Sequence, residues 1–403
     1  MVPSAGPSGG RPDTTGTQFF YIFVPGAARR DDAPPSVVLG CVCCAYLCHM
    51  EPVNFSSFSG AYFTSAIPDI NISVASPAVK ARIIMTCGGS QIYNEILWPV
   101  ASQVTLTDLG SMLEPYAQRG LVTALSISVQ LLNASNANVG SAQTASASIL
   151  FSRCDVGIPA LQFYTSHFLT ILQGEKVTAL GRRELLWYYG SDAASVTAEY
   201  DDGTTSSFSP TVESTGSAFT CINVSPGSFT ATGKTLVAYT VTAGNRSQRF
   251  VMDLTAPDCA PILEFYNSFG VWELIYCTGI HKVSPDYKRS STRIGGLRRN
   301  YKIEETRTFK ADTGILTIPM ANWADDLFRS DSIYVVNVIN GEMTSRDGGK
   351  KVEITDSKSE YSNDDTELPR FTFSYQYVQR IHNVMQQDRV GRIFDNTFDH
   401  TFD

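Results

Sequence analysis

Four thiols and an imidazole stand within nine residues at Cys41-Val42-Cys43-Cys44-Ala45-Tyr46-Leu47-Cys48-His49, a density of soft ligands that raises zinc or iron–sulfur chemistry. The spacing opposes it. A closed zinc site draws its ligands as two separated pairs so that a turn can wrap the ion, whereas these thiols lie inside the apolar run that begins at Val37. In a strand, Cys41 and Cys43 would share one face and Cys44 and Cys48 the other. Buried, reduced small hydrophobes are the expectation, and no metal or cofactor is assigned.

Gly227-Ser228-Phe229-Thr230-Ala231-Thr232-Gly233-Lys234-Thr235 looks like a phosphate-binding loop, but five residues separate its glycines where that loop has four. The next segment alternates like a strand, so the helix N-terminus that would cradle an anion is not expected. The acidic pairs Asp201-Asp202, Asp325-Asp326 and Asp364-Asp365 lack calcium-loop spacing, and read as a turn, a helix face and a polar loop with solvated carboxylates. His49, His167, His281, His382 and His400 are scattered, with neither a metalloprotease pair nor a nucleophile elbow beside them. No catalytic residue is assigned, and the chain reads as a non-enzyme.

Such residues would need elements to hold them, and the pattern along the chain is mainly β. At 403 residues the chain exceeds one ordinary core. The segment 1–16 reads as a flexible arm without the charged start and apolar core of a signal peptide. Residues 17–156 read as a β-rich domain, with Leu125, Ile127, Val129 and Leu131 alternating with polar residues, and a helix capped near Asp108 and ended by Gly120. Residues 157–259 carry two hairpin signals, Asp202-Gly203 and Gly244-Asn245, and read as a small β-sandwich.

Residues 260–403 read as a third β-rich domain with strands at Trp272–Tyr276, Tyr301–Phe309, Ile333–Ile339, 351–354 and 371–378. One helix crosses it, because Met320, Trp323, Ala324, Leu327 and Phe328 follow the spacing of an amphipathic stripe. The expected fold class is therefore all-β, a chain of sandwich- or barrel-like units with one or two short helices.

Only 17% of residues are charged, below the usual quarter for a soluble domain, and the net charge is -8. That balance opposes nucleic-acid binding. The one basic cluster, Lys288, Arg289, Arg293, Arg298, Arg299 and Lys302, is followed by Glu304 and Glu305 and reads as a solvated strand face or a protein contact. The longest apolar run, Val37 to Leu47, is too short to span a bilayer, so no membrane insertion is expected. The C-terminus repeats an aromatic–acid pair every four residues, Phe394-Asp395, Phe398-Asp399 and Phe402-Asp403. If extended, it places Phe394, Phe398 and Phe402 on one face, as a strand that could dock on a sheet edge. Together with Trp323 and Phe328 these are the expected assembly residues.

Four stretches carry a resemblance: Phe265-Tyr266-Asn267-Ser268-Phe269-Gly270-Val271-Trp272-Glu273-Leu274, Tyr301-Lys302-Ile303-Glu304-Glu305-Thr306-Arg307-Thr308-Phe309, Trp323-Ala324-Asp325-Asp326-Leu327-Phe328-Arg329-Ser330 and Arg392-Ile393-Phe394-Asp395-Asn396-Thr397-Phe398-Asp399. In this order they resemble the C-terminal region of tail or baseplate structural proteins of tailed bacteriophages and prophages of anaerobic gut bacteria, over roughly a third of the chain. The resemblance implies a virion protein made in the host cytoplasm, ring-forming like a distal tail protein, with itself and other tail proteins as partners. It supplies no catalytic residues. The alternative is a tail adhesin module that binds a host surface glycan, and a glycan-cleaving enzyme has no motif behind it.

Overall fold

A computed structural model describes residues 58–216, 218–339, 342–343, 349–360 and 368–379. The expected arm, the thiol run Cys41–Cys48 and the repeat carrying Phe394, Phe398 and Phe402 lie outside them. The described chain is all-β with three short helices, and it buries its apolar side chains in layered sheets.

The first sheet runs, from edge to edge, Ala61–Phe63, Asn138–Leu150, Val122–Leu132, Lys80–Cys87 and Ser90–Leu97; its first pair is parallel and the rest antiparallel. The predicted alternation holds, with Leu125, Ile127, Val129 and Leu131 all buried. Asn133 closes the turn to the next strand by accepting from the backbone N–H groups of Ser135 and Ala137. Helix α1, Leu109–Gln118, buries Leu109, Leu113 and Ala117, with Met112 packed partly against the same core. Asp108 precedes it but makes no backbone cap; its carboxylate accepts from Ser111 instead.

A second layer pair follows. One sheet orders Thr205–Phe208, Ala194–Tyr200, Leu236–Ala243, Arg246–Met252 and Lys176–Thr178, and the other Thr211–Thr215, Phe219–Asn223 and Leu185–Tyr189. Their inner faces share a core built on Tyr188, Val196, Ile222, Tyr239, Val241 and Phe250. Both predicted hairpins form, Val196 pairing with Phe208 and Thr242 with Ser247. A helix that the sequence did not announce, α2 at Ala160–Ser166, precedes them and buries Phe163 and Tyr164.

The third layer is a seven-stranded antiparallel sheet in the order Trp272–Tyr276, Ile262–Tyr266, Ile333–Val335, Lys350–Lys358, Thr372–Tyr377, Leu297–Asp312 and Lys282–Ile294. Helix α3, Ile318–Arg329, lies on it, with Thr317 accepting from the Met320 N–H at its start and Arg329 bonded to Asp325 at its end. The predicted strand Ile333–Ile339 is instead two, Ile333–Val335 and Val338–Ile339. At the interruption, the Val336 N–H bonds back to the Ile262 carbonyl.

The turn Asn267–Gly270 meets all three layers. Asn267 donates to the Leu169 carbonyl and accepts from the Phe269 and Val271 N–H groups, while Ser268 bonds Asp326 and its carbonyl accepts from the Arg153 N–H. Gly270 takes φ 77°, and a Cβ there would come within 2.6 Å of Leu121 and 2.8 Å of Phe151. Only glycine fits both the backbone and the space.

Candidate assembly surface

Trp323 lies on the inner face of α3 and is 1% exposed. Its indole N–H donates to Glu273 at 2.7 Å, its ring packs near Phe265, and the Lys176 ammonium sits 4.5 Å from its centroid. Phe328 is half-buried against Phe371 and Phe373. The Trp323 ring is enclosed by its own helix and sheet, which corrects the assembly role expected of it, while Phe328 keeps part of its ring exposed. The apolar stripe that identifies the helix is the face that its own sheet covers.

The predicted solvated pair Asp325-Asp326 is also corrected. Asp325 is partly exposed, but Asp326 is buried, accepting from the Ser268 N–H at 2.9 Å and from its hydroxyl at 2.5 Å. Two donors on a turn fixed by Asn267 make that burial tolerable. Asp202 stands in its predicted turn, where hydrogen bonds from Thr204 and Lys234 hold its carboxyl down at about 2. The Gly227–Thr235 segment forms a 3-10 turn at Pro226–Phe229, a narrow bridge between Ala231 and Lys234, and then a strand. Asp364 and Asp365 lie outside the described residues.

Beneath α3 a buried charge network joins the middle sandwich to the seven-stranded sheet. Lys176 donates to Glu184 at 2.7 Å and to the Leu274 carbonyl at 3.4 Å, and Thr178 donates to the other oxygen of Glu184. Burial raises the Glu273 carboxyl above its ordinary value, opposed by Lys176, Thr170 and Trp323. Burial likewise raises Asp326, opposed by Ser268. Lys176, Glu184, Glu273 and Asp326 are all enclosed by these partners, so the network holds layers together.

A pH dependence follows from the raised pair of carboxyls, Glu273 and Asp326. Since each folded-state value lies above the unfolded one, their contribution to stability is complete below the unfolded carboxylate range, at about pH 4, and is lost as pH rises through the raised values. Glu273→Gln should therefore flatten the fall in unfolding free energy as pH rises above that range. Denaturant titrations across pH check this, and an unchanged slope would show that Glu273 does not titrate there.

Three features among the described residues stand out at the surface. First, Ile96, Trp98 and Val100 expose apolar side chains at alternate positions, with Trp98 66% and Val100 82% exposed. Ile96 lies in Ser90–Leu97, an outer strand with no neighbour on its other side among the described residues, and Trp98 and Val100 follow it into a tight turn where Val100 and Gln103 exchange backbone hydrogen bonds. Second, a cleft of about 380 Å³ is lined by polar groups including His167, Gln173, Glu175, Asn245, Gln248 and Arg249. Third, the strands Lys282–Ile294 and Leu297–Asp312 run beyond the sheet as a two-stranded ribbon. The sequence reading missed the first feature, although an apolar Leu97-Trp98-Pro99-Val100 run straight after a strand was its available signal.

Among the described residues no group of three or more His, Cys, Asp or Glu side chains gathers as for a metal ion. Cys87, Cys154, Cys221, Cys259 and Cys277 are free thiols. No helix of the described residues is long and apolar enough to cross a membrane.

No protein-family model and no curated protein matches the chain. Among solved structures, a three-immunoglobulin-domain segment of titin, as an E-to-A variant, aligns at 10% identity over 80% of this chain and 85% of that one, with a TM-score of 0.17. A second titin tandem aligns at 7% identity, over 80% and 87%, with a TM-score of 0.15. The protein SGBP-B of a Bacteroides ovatus mixed-linkage glucan utilization locus, in complex with a mixed-linkage heptasaccharide, aligns at 11% identity over 76% and 71%, also at 0.15. Likenesses this weak carry no weight for the function of this chain.

Proposed function

We propose that the chain is a non-enzymatic structural subunit of a phage tail tip or baseplate, working by oligomeric assembly with copies of itself and with other tail proteins. The motif resemblance in the last third of the sequence supplies the virion setting. The observation that carries the assembly reading is the set of exposed apolar side chains Ile96, Trp98 and Val100 at the end of an open edge strand. A large indole and two aliphatic side chains in water cost free energy that a neighbouring subunit would recover, and an unpaired edge offers backbone groups to the same neighbour.

Trp98→Glu with Val100→Asp should remove roughly 3 kcal/mol or more of contact free energy, weakening self-association on the order of a hundred-fold. Folding should be unaffected, because both side chains are exposed. Light scattering after size exclusion reads the result, and an oligomer of unchanged stability would remove this edge from the interface.

The second reading, an adhesin module that binds a surface glycan, draws on the polar cleft beside His167 and Arg249, whose hydrogen-bonding side chains suit sugar hydroxyls. A glycan array probed with the purified chain tests it. Binding lost on Gln248→Ala would favour the adhesin.

A further inference from the structure

The net charge of the chain conceals a strongly basic projection. Within residues 287–303 stand Lys288, Arg289, Arg293, Arg298, Arg299 and Lys302 with no acidic residue among them, and setting those six aside leaves -14 on the rest. They fall on the two ribbon strands, joined by Gly295-Gly296 with both φ values positive, 60° and 81°, as a two-residue type I′ turn requires. The neighbouring strand Thr372–Tyr377 pairs only as far out as Phe309. From Thr306 to Leu297 the ribbon therefore reaches roughly 30 Å past its sheet at about 3.3 Å per residue. That exceeds the screening length of about 8 Å at physiological salt, so the acidic body does not cancel the field at the tip.

The acids that follow the cluster in sequence compensate only its inner end, where Glu304 also stands directly across from Lys288. Glu304 pairs with Lys302 and Glu305 with Arg307, both toward the base of the ribbon. Among the described residues no carboxylate pairs with Arg289, Arg293, Arg298 or Arg299. Arg293 and Arg298 are direct cross-strand partners, a like-charge juxtaposition that costs stability unless an anion lies between them. Two guanidiniums are already oriented: Arg298 donates to the Ser291 hydroxyl at 2.8 Å, and Arg289 lies over the Tyr287 ring.

The charge stands on both faces. Register puts Arg289, Arg293 and Arg298 on one face, and Lys288, Arg299 and Lys302 on the other. A flat protein surface would meet only one of them. A nucleic-acid groove surrounds an inserted element with phosphates, and the major groove of B-form DNA, about 12 Å wide, admits a two-stranded β-ribbon. The tip pair Ile294 and Leu297 is apolar and exposed, able to meet the thymine methyl groups on the floor of that groove.

We propose that this ribbon is a DNA-binding arm that enters the major groove of a duplex, with Arg293, Arg298 and Arg299 on the phosphates. The arm does not depend on the assembly reading, and it revises the expectation, drawn from net charge, that the chain avoids nucleic acid. Fluorescence anisotropy of the full chain with a labelled mixed-sequence duplex tests it. If about four phosphates are neutralised, affinity should fall on the order of 10²-fold or more between about 50 and 200 mM salt. Arg293→Glu with Arg298→Glu and Arg299→Glu should abolish binding at either salt, with the melting temperature unchanged; the same three positions as Gln should weaken it at least ten-fold and guard against misfolding of the reversed arm. No binding at the lower salt, equal binding by both variants, or affinity indifferent to salt would overturn the proposal. So would two other results: heparin bound through the arm while the duplex is not, which assigns an anionic glycan, or loss of an oligomer in the reversed variant without duplex binding in the parent, which assigns a subunit contact.

Discussion

Trp323→Ala should lower the unfolding free energy by about 3–5 kcal/mol, the range for truncating a fully buried large aromatic. The indole fills the space between α3 and the seven-stranded sheet, where Phe265, Leu263, Ala324 and Leu327 share its core. Its removal also leaves Glu273 without the N–H donor that holds it at 2.7 Å, and takes the ring from beneath the Lys176 ammonium. Trp323→Phe should recover most of the packing but not the hydrogen bond, and so cost less than half as much. Urea denaturation followed by circular dichroism measures both. A loss under about 1 kcal/mol for the alanine variant would mean that the helix is not clamped on its sheet as described.

Lys176→Ala should cost a similar amount, about 3–5 kcal/mol, by a different mechanism. The side chain is nearly buried beside Glu184, which is fully enclosed, and it also moderates Glu273. Taking the ammonium away leaves buried carboxylates with less to balance them, and that penalty, rather than the bond itself, dominates. Lys176→Met combined with Glu184→Gln should return much of the stability, because the neutral amide keeps an oxygen that can still accept from the Thr178 hydroxyl, as the Glu184 carboxylate does. If the single variant is as stable as the parent, the pair is hydrated and does not couple the sandwich to the third layer. If the double variant is worse than the single one, the charge pair is itself a net stabiliser.

The local parts of this fold are written plainly in the sequence. Helix α3 follows from five apolar residues at helical spacing, and the hairpins at Asp202-Gly203 and Gly244-Asn245 from turn chemistry next to alternating strands, since each signal resides within a few neighbouring residues. The burial of Trp323 and Asp326 was not legible, because exposure depends on which distant strand covers a face. Asp326 is buried only because Ser268, 58 residues away, supplies two donors. The basic residues from Lys288 to Lys302 illustrate the same limit. Their sequence shows six charges followed by two acids; the acids pair within their own strand, Glu304 with Lys302 and Glu305 with Arg307, while the hairpin register carries Arg293, Arg298 and Arg299 to the tip, away from them. Helix α2 spans only seven residues, too few for a helical period to stand out from its surroundings.

The reading as an assembly subunit is tested most directly by the mass of the purified full-length chain in solution. Sedimentation velocity over a rising concentration series, with electron microscopy of the heaviest species, should give a discrete closed oligomer rather than a continuum, as expected for subunits that close by rotation. Rings around a lumen are the predicted image. A single monomeric species at every concentration, with no ordered particle on the grid, would contradict the account.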